Sequence, residues 1–541
     1  MISKEKYGIV YTPQKLAEFV AKLLIEEYGL TDNITNVLDP ACGEGALLKA
    51  LKKISSQKTN YYGIDVDSDI IVLNMNQKDN EITYIDNDAV LPCIGKVTYE
   101  YWKDRLPDIN IIIANPPWST ERLYERDKLG KAGFTLLDGQ YDNYVLFIEL
   151  CVKILADGGL CAFILPDSIF YGENKNVRKF ITENVRIKAI ARLGEKIFEG
   201  VNRATSVIIV EKRKPEAESL TKCFRLNTNE RKLFLAGKLS LFDSYTNSLH
   251  IVKQSRFSES KDYLFDIDTK CEDEGLLFKI EKDSASMDKI FRFGRGVEVS
   301  KSGAIIECPV CNHAQGFTKK QLLNKEKVCS QCKETISIRN SNVINIISNK
   351  QDDGNQEIYV GENIQRYFTI GKKFLKMGVQ GIDYKDPSIY KAPKILIRKT
   401  GLGINSYLDT ESTYISQTVY SLRYIAEDNM IPLEYYLALI NSRVVFYYYL
   451  KKYGENEWKS HPYLTKDIIF KFPIKEYQNC KMVNEIIGLT KQLLNCYSRE
   501  IDLLLETKIM KWYGLNANDR KIIKEEINSL PDLGAINNMK F

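Results

Sequence analysis

No run of about 18 apolar residues occurs in the chain, which excludes a membrane-spanning helix. The opening MISKEKYGIVYTP has no apolar core behind its lysines and is not a secretory leader. No internal repeat and no long low-complexity tract is present, so a repeat architecture is excluded. Histidine numbers only three, none beside a motif of the N-terminal half. Charge is close to balanced; a formal +5 neither demands nor excludes nucleic acid. The twelve cysteines are scattered singly apart from one paired set near residue 310. Without a leader they read as reduced thiols in a cytoplasm.

What is present fits a soluble protein of more than one domain. Hydrophobic content is 44% and charged content 27%, ordinary for a globular chain. At 541 residues the chain is too long for one core, so two or three domains are expected.

The first two hundred residues have the rhythm of a doubly wound sheet. QKLAEFVAKLLIEEYG, from Gln14, is apolar at helical spacing, with Pro13 in the first turn. NVLDPACGEGALLKAL follows: a short apolar run, a glycine-bearing turn, then a helical pattern. It lacks the GxGxxG spacing, but Gly43 and Gly45 let the backbone approach a ligand; a plain tight strand-to-helix turn explains the loop equally well. NYYGIDVDSD is a second strand ending in Asp65 and Asp67, placed either to accept from ribose hydroxyls or merely to be solvated. EITYIDNDAV ends in Asp86 and Asp88, and PDINIIIANPPW is an apolar run stopped at Asn115. Four successive strands thus deliver polar groups at their C-terminal ends, where open α/β sheets bind ligands.

ANPPW is the most informative stretch. Pro116 and Pro117 fix φ and remove two donors, and Asn115 is pushed to an extended conformation. The result is a stiff hook that presents the Asn115 oxygen and a nearby carbonyl in one direction, with Trp118 alongside. A planar ring with an exocyclic amine fits it: two acceptors for two N–H bonds, and an aromatic face. The alternative is a strand-ending Pro-Pro beside a core tryptophan.

On these motifs the sequence resembles the gamma-class, Taq-type N6-adenine DNA methyltransferases, which carry [DNS]-P-P-[YFW] and use S-adenosylmethionine. GIVYTPQKLAEFV, VLDPACGEGALL, GIDVD, DNDAV and ANPPW stand in the family's order. DNYVLFIELCVKILADGG, LCAFILPDSIF and KIFEGVNRATSVIIVEK resemble the remaining helix and strands. The resemblance implies that Tyr11, Thr12 and Pro13 cover the cofactor's methionine end, and that Asp39, Ala41, Gly43 and Gly45 line it. Asp65 would hold the ribose, and Asp88 the cofactor's adenine, with Asp86 a rival. Asn115 also belongs to the cofactor set. Asn115, Pro116, Pro117 and Trp118 would form the catalytic motif. Trp118 and Phe198 would stack on a target base flipped out of the duplex. No histidine is needed for this chemistry. TERLYERDKLGKAGFTLLDGQ, after the motif, reads either as a mobile loop closing on DNA or as a solvated surface loop.

CPVCNHAQGFTKKQLLNKEKVCSQC holds two Cys-x2-Cys knuckles seventeen residues apart. That is zinc-ribbon spacing, and Cys308, Cys311, Cys329 and Cys332 leave no open position on the metal, so the zinc is structural. His313 is the substitute ligand. The family does not require this ribbon. Beyond it, PKILIRK and SQTVYSL resemble the family's target-recognition domain, with Lys394, Arg398 and Lys399 as candidate DNA contacts or merely solvated residues.

The expected architecture is a Rossmann-like α/β S-adenosylmethionine-dependent methyltransferase sheet with a C-terminal mixed α+β target-recognition domain. Residues 1–215 would be catalytic, 216–300 a connector, 301–340 the ribbon, 341–475 the recognition domain and 476–541 a helical tail. The function implied is site-specific DNA adenine-N6 methylation of double-stranded DNA in a restriction–modification or related defence system. Because the chain begins at the cofactor motif, methylation without cleavage is expected of it, with any restriction endonuclease on another polypeptide. The alternatives are a methyltransferase acting on RNA or protein glutamine, and a DNA-recognition subunit without catalysis.

Overall fold

The computed structural model describes residues 11–29, 35–55, 58–76, 81–118, 124–138, 142–199, 203–260, 262–299, 303–401, 403–426, 428–454, 464–532 and 536–541. The chain forms two compact units, residues 1–271 with 451–460, and 272–450 with 461–541. No described helix is long and apolar enough to cross a membrane.

The first unit is built on β1 (Thr35–Asp39), β2 (Thr59–Asp65), β3 (Ile82–Asp86), β4 (Ile109–Ala114), β5 (Leu155–Pro166), β6 (Arg186–Gly194), β7 (Thr205–Glu211), β8 (Leu220–Arg225) and β9 (His250–Lys253). They form one sheet in the order β3-β2-β1-β4-β5-β7-β6-β8-β9. β3 to β5 are parallel, and β7 enters antiparallel between β5 and β6. Strand residues alternate between two cores, because successive side chains leave opposite faces. Val37, Ile111, Ile113 and Ile164 join one core; Leu38, Ile112 and Leu165 join the other. Continuous apolar runs are what a sheet covered on both faces requires. Helix α1 (Gln14–Tyr28) buries Leu16, Phe19, Val20, Leu23 and Leu24 on the first core. Helix α2 (Ala46–Ile54) starts on Gly45 in the left-handed region, and α3 (Ser68–Met75) starts on Asp67, whose side chain accepts from Asp69 N. Helix α4 (Tyr144–Ile154) is buried almost throughout.

The expected boundary near residue 215 is corrected: β8 pairs parallel with β6 and β9 pairs with β8, so the unit runs to residue 271. The described part of the stretch after ANPPW, residues 124–138, is also not a solvated loop. It contains helix Arg126–Lys131, and Leu129 and Phe134 are buried in the core. The buried Glu149 carboxylate accepts from Thr135 N, Thr135 Oγ1 and Leu136 N.

The second unit contains an antiparallel sheet of Phe291–Arg295, Val419–Tyr424, Lys394–Arg398 and Ser406–Asp409. A smaller sheet is made by Ile347–Ser348, Lys373–Leu375, Gln356–Tyr359 and Tyr414–Ile415. Helices Lys481–Asn495, Arg499–Trp512 and Ala517–Ser529 follow. The tyrosine-rich segment near residue 440 packs rather than stacks on a ligand: Tyr435, Tyr436, Tyr447 and Tyr449 are all buried.

Candidate active site and metal centre

The parallel strands β1 to β4 end on one edge of the sheet, and a cleft opens there. Its walls include Tyr11, Thr12, Asp39, Ala41, Gly43, Asp65, Asp88, Asn115, Pro116, Pro117 and Trp118. The residues that the sequence proposes from five separate stretches therefore meet in one cavity. Pro13 and Gly45 do not line it. Pro13 caps α1. Gly45 caps α2 at φ +75°, where a Cβ would stand 2.7 Å from Tyr84 Oη. Their part is to turn the chain. Asp86 is exposed and outside the cleft, whereas Asp88 lines it.

The three carboxylates differ in their surroundings. Asp39, 1% exposed, accepts only from Ala41 N through Oδ1 among the described residues. Burial pushes its pKa up to about 8, against the Ala41 bond and with help from Asp65. Asp65 is also raised by burial, opposed by N–H bonds from Asp67 and Gly43. Asp88 Oδ1 accepts from Val90 N, Leu91 N and Tyr124 Oη, while Oδ2 accepts from no described residue. The buried Asp39 and the half-buried Asp88, each with one oxygen that accepts from no described residue, suit a ligand that brings a cation and an amine. The Gly43 backbone leaves room for close approach: at φ +48° its Cβ would already touch Tyr11 at 3.4 Å.

At the end of β4, Asn115 Nδ2 donates to Thr12 Oγ1 at 3.1 Å. The Pro116 carbonyl accepts no hydrogen bond among the described residues. Trp118 Nε1 donates to Ile164 O, and Arg203 Nη1 donates to Trp118 O at 2.6 Å. Trp118 and Phe198 are 6% and 2% exposed, with ring centroids 5.1 Å apart at 81°. That is edge-to-face contact, so the expected pair of rings on opposite faces of a base is not formed here.

Sequence reasoning missed Tyr124 and Asn143, which line the cleft, and Arg203. The polar DNY start of the apolar α4 pattern was the available signal for Asn143. Nothing local marks Tyr124 or Arg203, whose partners Asp88 and Trp118 lie far off in sequence.

In the second unit the sulfurs of Cys308, Cys311, Cys329 and Cys332 lie within 4.8 Å of one another. The pairs Cys308–Cys332 and Cys311–Cys329 are 3.5 and 3.7 Å apart. A tetrahedral zinc thiolate has an S–S edge of about 3.8 Å, so the donor set fits. The Cys332 N–H, with the Gln331 N–H, holds the Cys329 thiol down to about 6, ready to ligate as thiolate. His313 is not in the cluster; its ring lies against Gly381. Strands Ala304–Glu307, Ala314–Gly316 and Val343–Asn345, with the hairpin Glu326–Val328 and Thr335–Ser337, carry the knuckles.

Lys394 is corrected as a DNA contact. It is 0% exposed and its ammonium pairs with Asp409, its register partner on the next strand. Arg398 is half-buried and its Nε donates to Thr400 O. Lys399 is half-buried, 5.7 Å from the Tyr420 ring centroid.

Residues 2–239 match the N-6 DNA methylase family, and residues 356–474 match the TaqI-like C-terminal specificity domain. The chain is thus similar to an N-6 DNA methylase over its N-terminal part and to a TaqI-like specificity domain over a C-terminal part. It is similar to the type I restriction enzyme MpnII methylase subunit of Mycoplasma pneumoniae, 25% identical over 39% of this chain and 42% of that one. It is also similar to the type II methyltransferase M.BanIII of Aneurinibacillus aneurinilyticus, 28% identical over 37% and 38%. The type I MjaVII methylase subunit of Methanocaldococcus jannaschii is 30% identical over 39% and 38%. The matched region spans about two fifths of these relatives. Among solved structures, the type IIG restriction endonuclease BpuSI matches 96% of this chain and 65% of its own, at 14% identity and a TM-score of 0.43.

Proposed function

We propose that the chain is a site-specific DNA adenine-N6 methyltransferase. It transfers a methyl group from S-adenosylmethionine to an adenine turned out of duplex DNA, in a restriction–modification or related defence setting. The observation that carries this reading is the Asn115–Trp118 hook on the wall of a cleft that also holds three strand-end carboxylates. The family matches and the methylases among the relatives support it.

Asp88 Oδ2 would accept from the cofactor's adenine amine, Asp65 from its ribose hydroxyls, and Asp39 would pair with its ammonium. Tyr11 and Thr12 would close over the methionine end beside Gly43. S-adenosylmethionine, when bound, supplies an activated sulfonium methyl group. The chain supplies position and electrostatics. Asn115 Oδ1 and the Pro116 carbonyl would take the two N–H bonds of the target amine. Those bonds favour a pyramidal, more nucleophilic nitrogen and stabilise the positive charge that grows on it. Trp118 would offset the stacking lost by the flipped base, about 1–3 kcal/mol per aromatic contact. The four cysteines would hold a structural zinc.

The test is long-read sequencing of host DNA with and without the gene. One motif gaining N6-methyladenine is the expected result. No modified adenine despite tight S-adenosylmethionine binding sinks the DNA reading and turns attention to RNA and protein glutamine.

Asp39 gives a second expectation. Its folded pKa of about 8 leaves it largely protonated at pH 7, whereas a neighbouring ammonium favours the ionised form. Cofactor binding is therefore expected to release a proton at pH 7, with affinity climbing as pH rises and levelling above about 8. Calorimetry in buffers of differing ionisation enthalpy reads this directly. Equal proton release in wild type and Asp39→Asn would remove Asp39 from the role.

A further inference from the structure

The zinc-ribbon knuckle is not an isolated appendage. Asn312 N donates to Cys308 O and Cys308 N to His313 O, so closing the first knuckle fixes the next two residues. Those residues meet one loop, Lys376–Lys385. Ala314 N donates to Gln380 O at 2.9 Å. Gly381 sits at φ +94°, and a Cβ there would lie 2.5 Å from Ala314 O and 2.6 Å from His313 Nδ1. Only glycine allows so close a seat. Ala314 is fully buried in the core cluster against which Met377, Val379, Ile382 and Tyr384 pack.

The loop is braced from within as well. Tyr384 Oη donates to Lys376 O at 2.8 Å and accepts from Val379 N, and Tyr390 Oη donates to Tyr384 O. The backbone on both sides of Gln380 is thus tied down. Its side chain is exposed and makes no hydrogen bond among the described residues. The backbone is held in place while the Gln380 amide faces solvent.

The base of the loop adjoins a surface of paired charges. Lys385 pairs with Asp383 and lies 3.3 Å from Glu298, and Arg295 Nη1 lies 3.7 Å from the same Glu298 carboxylate. Beside Arg295 the ammonium of Lys399 lies over Tyr420, and Lys466 lies over Phe293 and Phe470. Cations interleaved with aromatics along one face suit a phosphate backbone. Glutamine is instead the side chain whose paired donor and acceptor match adenine N7 and N6 in the major groove.

We propose that Gln380 reads an A·T base pair of the recognition sequence, and that the zinc ribbon is the buttress that holds it in place through His313 and Ala314. This rests on the DNA methyltransferase reading above. Gln380 is the specificity residue, Gly381 and Ala314 are positioning residues, and the metal acts only through them.

The experiment measures kcat/KM on synthetic duplexes in which each base pair of the wild-type motif is varied, with cofactor affinity as the control. Gln380→Ala is expected to fold normally, to bind cofactor as wild type does, and to lose about 5- to 150-fold of discrimination at one A·T position only. Gly381→Ala, which must push His313 and Ala314 away, is expected to relax that same position. Unchanged discrimination at every position in Gln380→Ala overturns the inference. So does a loss spread evenly over all sequences, which marks a phosphate contact. If the wild-type chain modifies no duplex at all, the underlying reading fails, which the wild-type arm alone reveals.

Discussion

Asn115→Ala is expected to lower kcat for adenine methylation by about 10²–10³-fold, the scale seen when one preorganised hydrogen-bonding partner of a developing charge is removed. The carbonyl oxygen is the group at stake. Asn115 also donates to Thr12, so the alanine variant breaks two things at once. Asn115→Asp separates them: it keeps acceptor oxygens in the hook and loses only the donor to Thr12. It should retain more activity than Asn115→Ala, and Thr12→Val should affect cofactor KM more than kcat. Single-turnover rates at saturating DNA are the measurement. Equal activity in Asn115→Ala and wild type removes the hook from catalysis.

Removing the metal is expected to have the second large effect, and a different one. Structural zinc contributes about 10–16 kcal/mol of apparent binding energy in small zinc peptides at neutral pH, and that energy is folding energy. Around the four sulfurs the described core is small, with Ile306, Cys308, Cys329, Ile336 and Ile338 buried together. Cys329→Ser should therefore lose its zinc by elemental analysis and expose residues near Lys325 to protease. Cofactor affinity should stay at the wild-type value, because the cleft lies in the other unit with its own two cores. A wild-type chain free of zinc, or a Cys329→Ser chain as protease-resistant as wild type, would refute the metal site.

How far the cleft could be read from sequence follows from how local its parts are. Asp39 and Asp65 are the last residues of their strands, Asp88 lies two residues past the end of β3, and Asn115 directly follows β4. Strand period, the turn glycines and the Pro-Pro stop are short-range properties, so their order along the chain predicts one edge of one sheet. The cysteine spacing is legible for the same reason: each knuckle is a local turn, and four thiolates need only meet once. DND was ambiguous because both carboxylates are locally equivalent. The chain's turn after β3 decides, leaving Asp86 exposed and Asp88 in the cleft.

The sequence by itself determined the strand-end carboxylates, the hook and the four clustered cysteines, because backbone restriction, side-chain alternation and knuckle spacing act within a few residues. Tertiary structure alone decided where the first unit ends, since β8 joins through pairing with β6 across an intervening strand and loop. It decided that Lys394 is an internal ion pair, because the strand register sets Asp409 opposite it. It set Trp118 edge-on to Phe198 across some eighty residues of chain, and it seated the ribbon on the loop that carries Gln380. Each of these depends on which distant surfaces exclude water from one another, and that depends on the packing of the whole unit rather than on any local pattern.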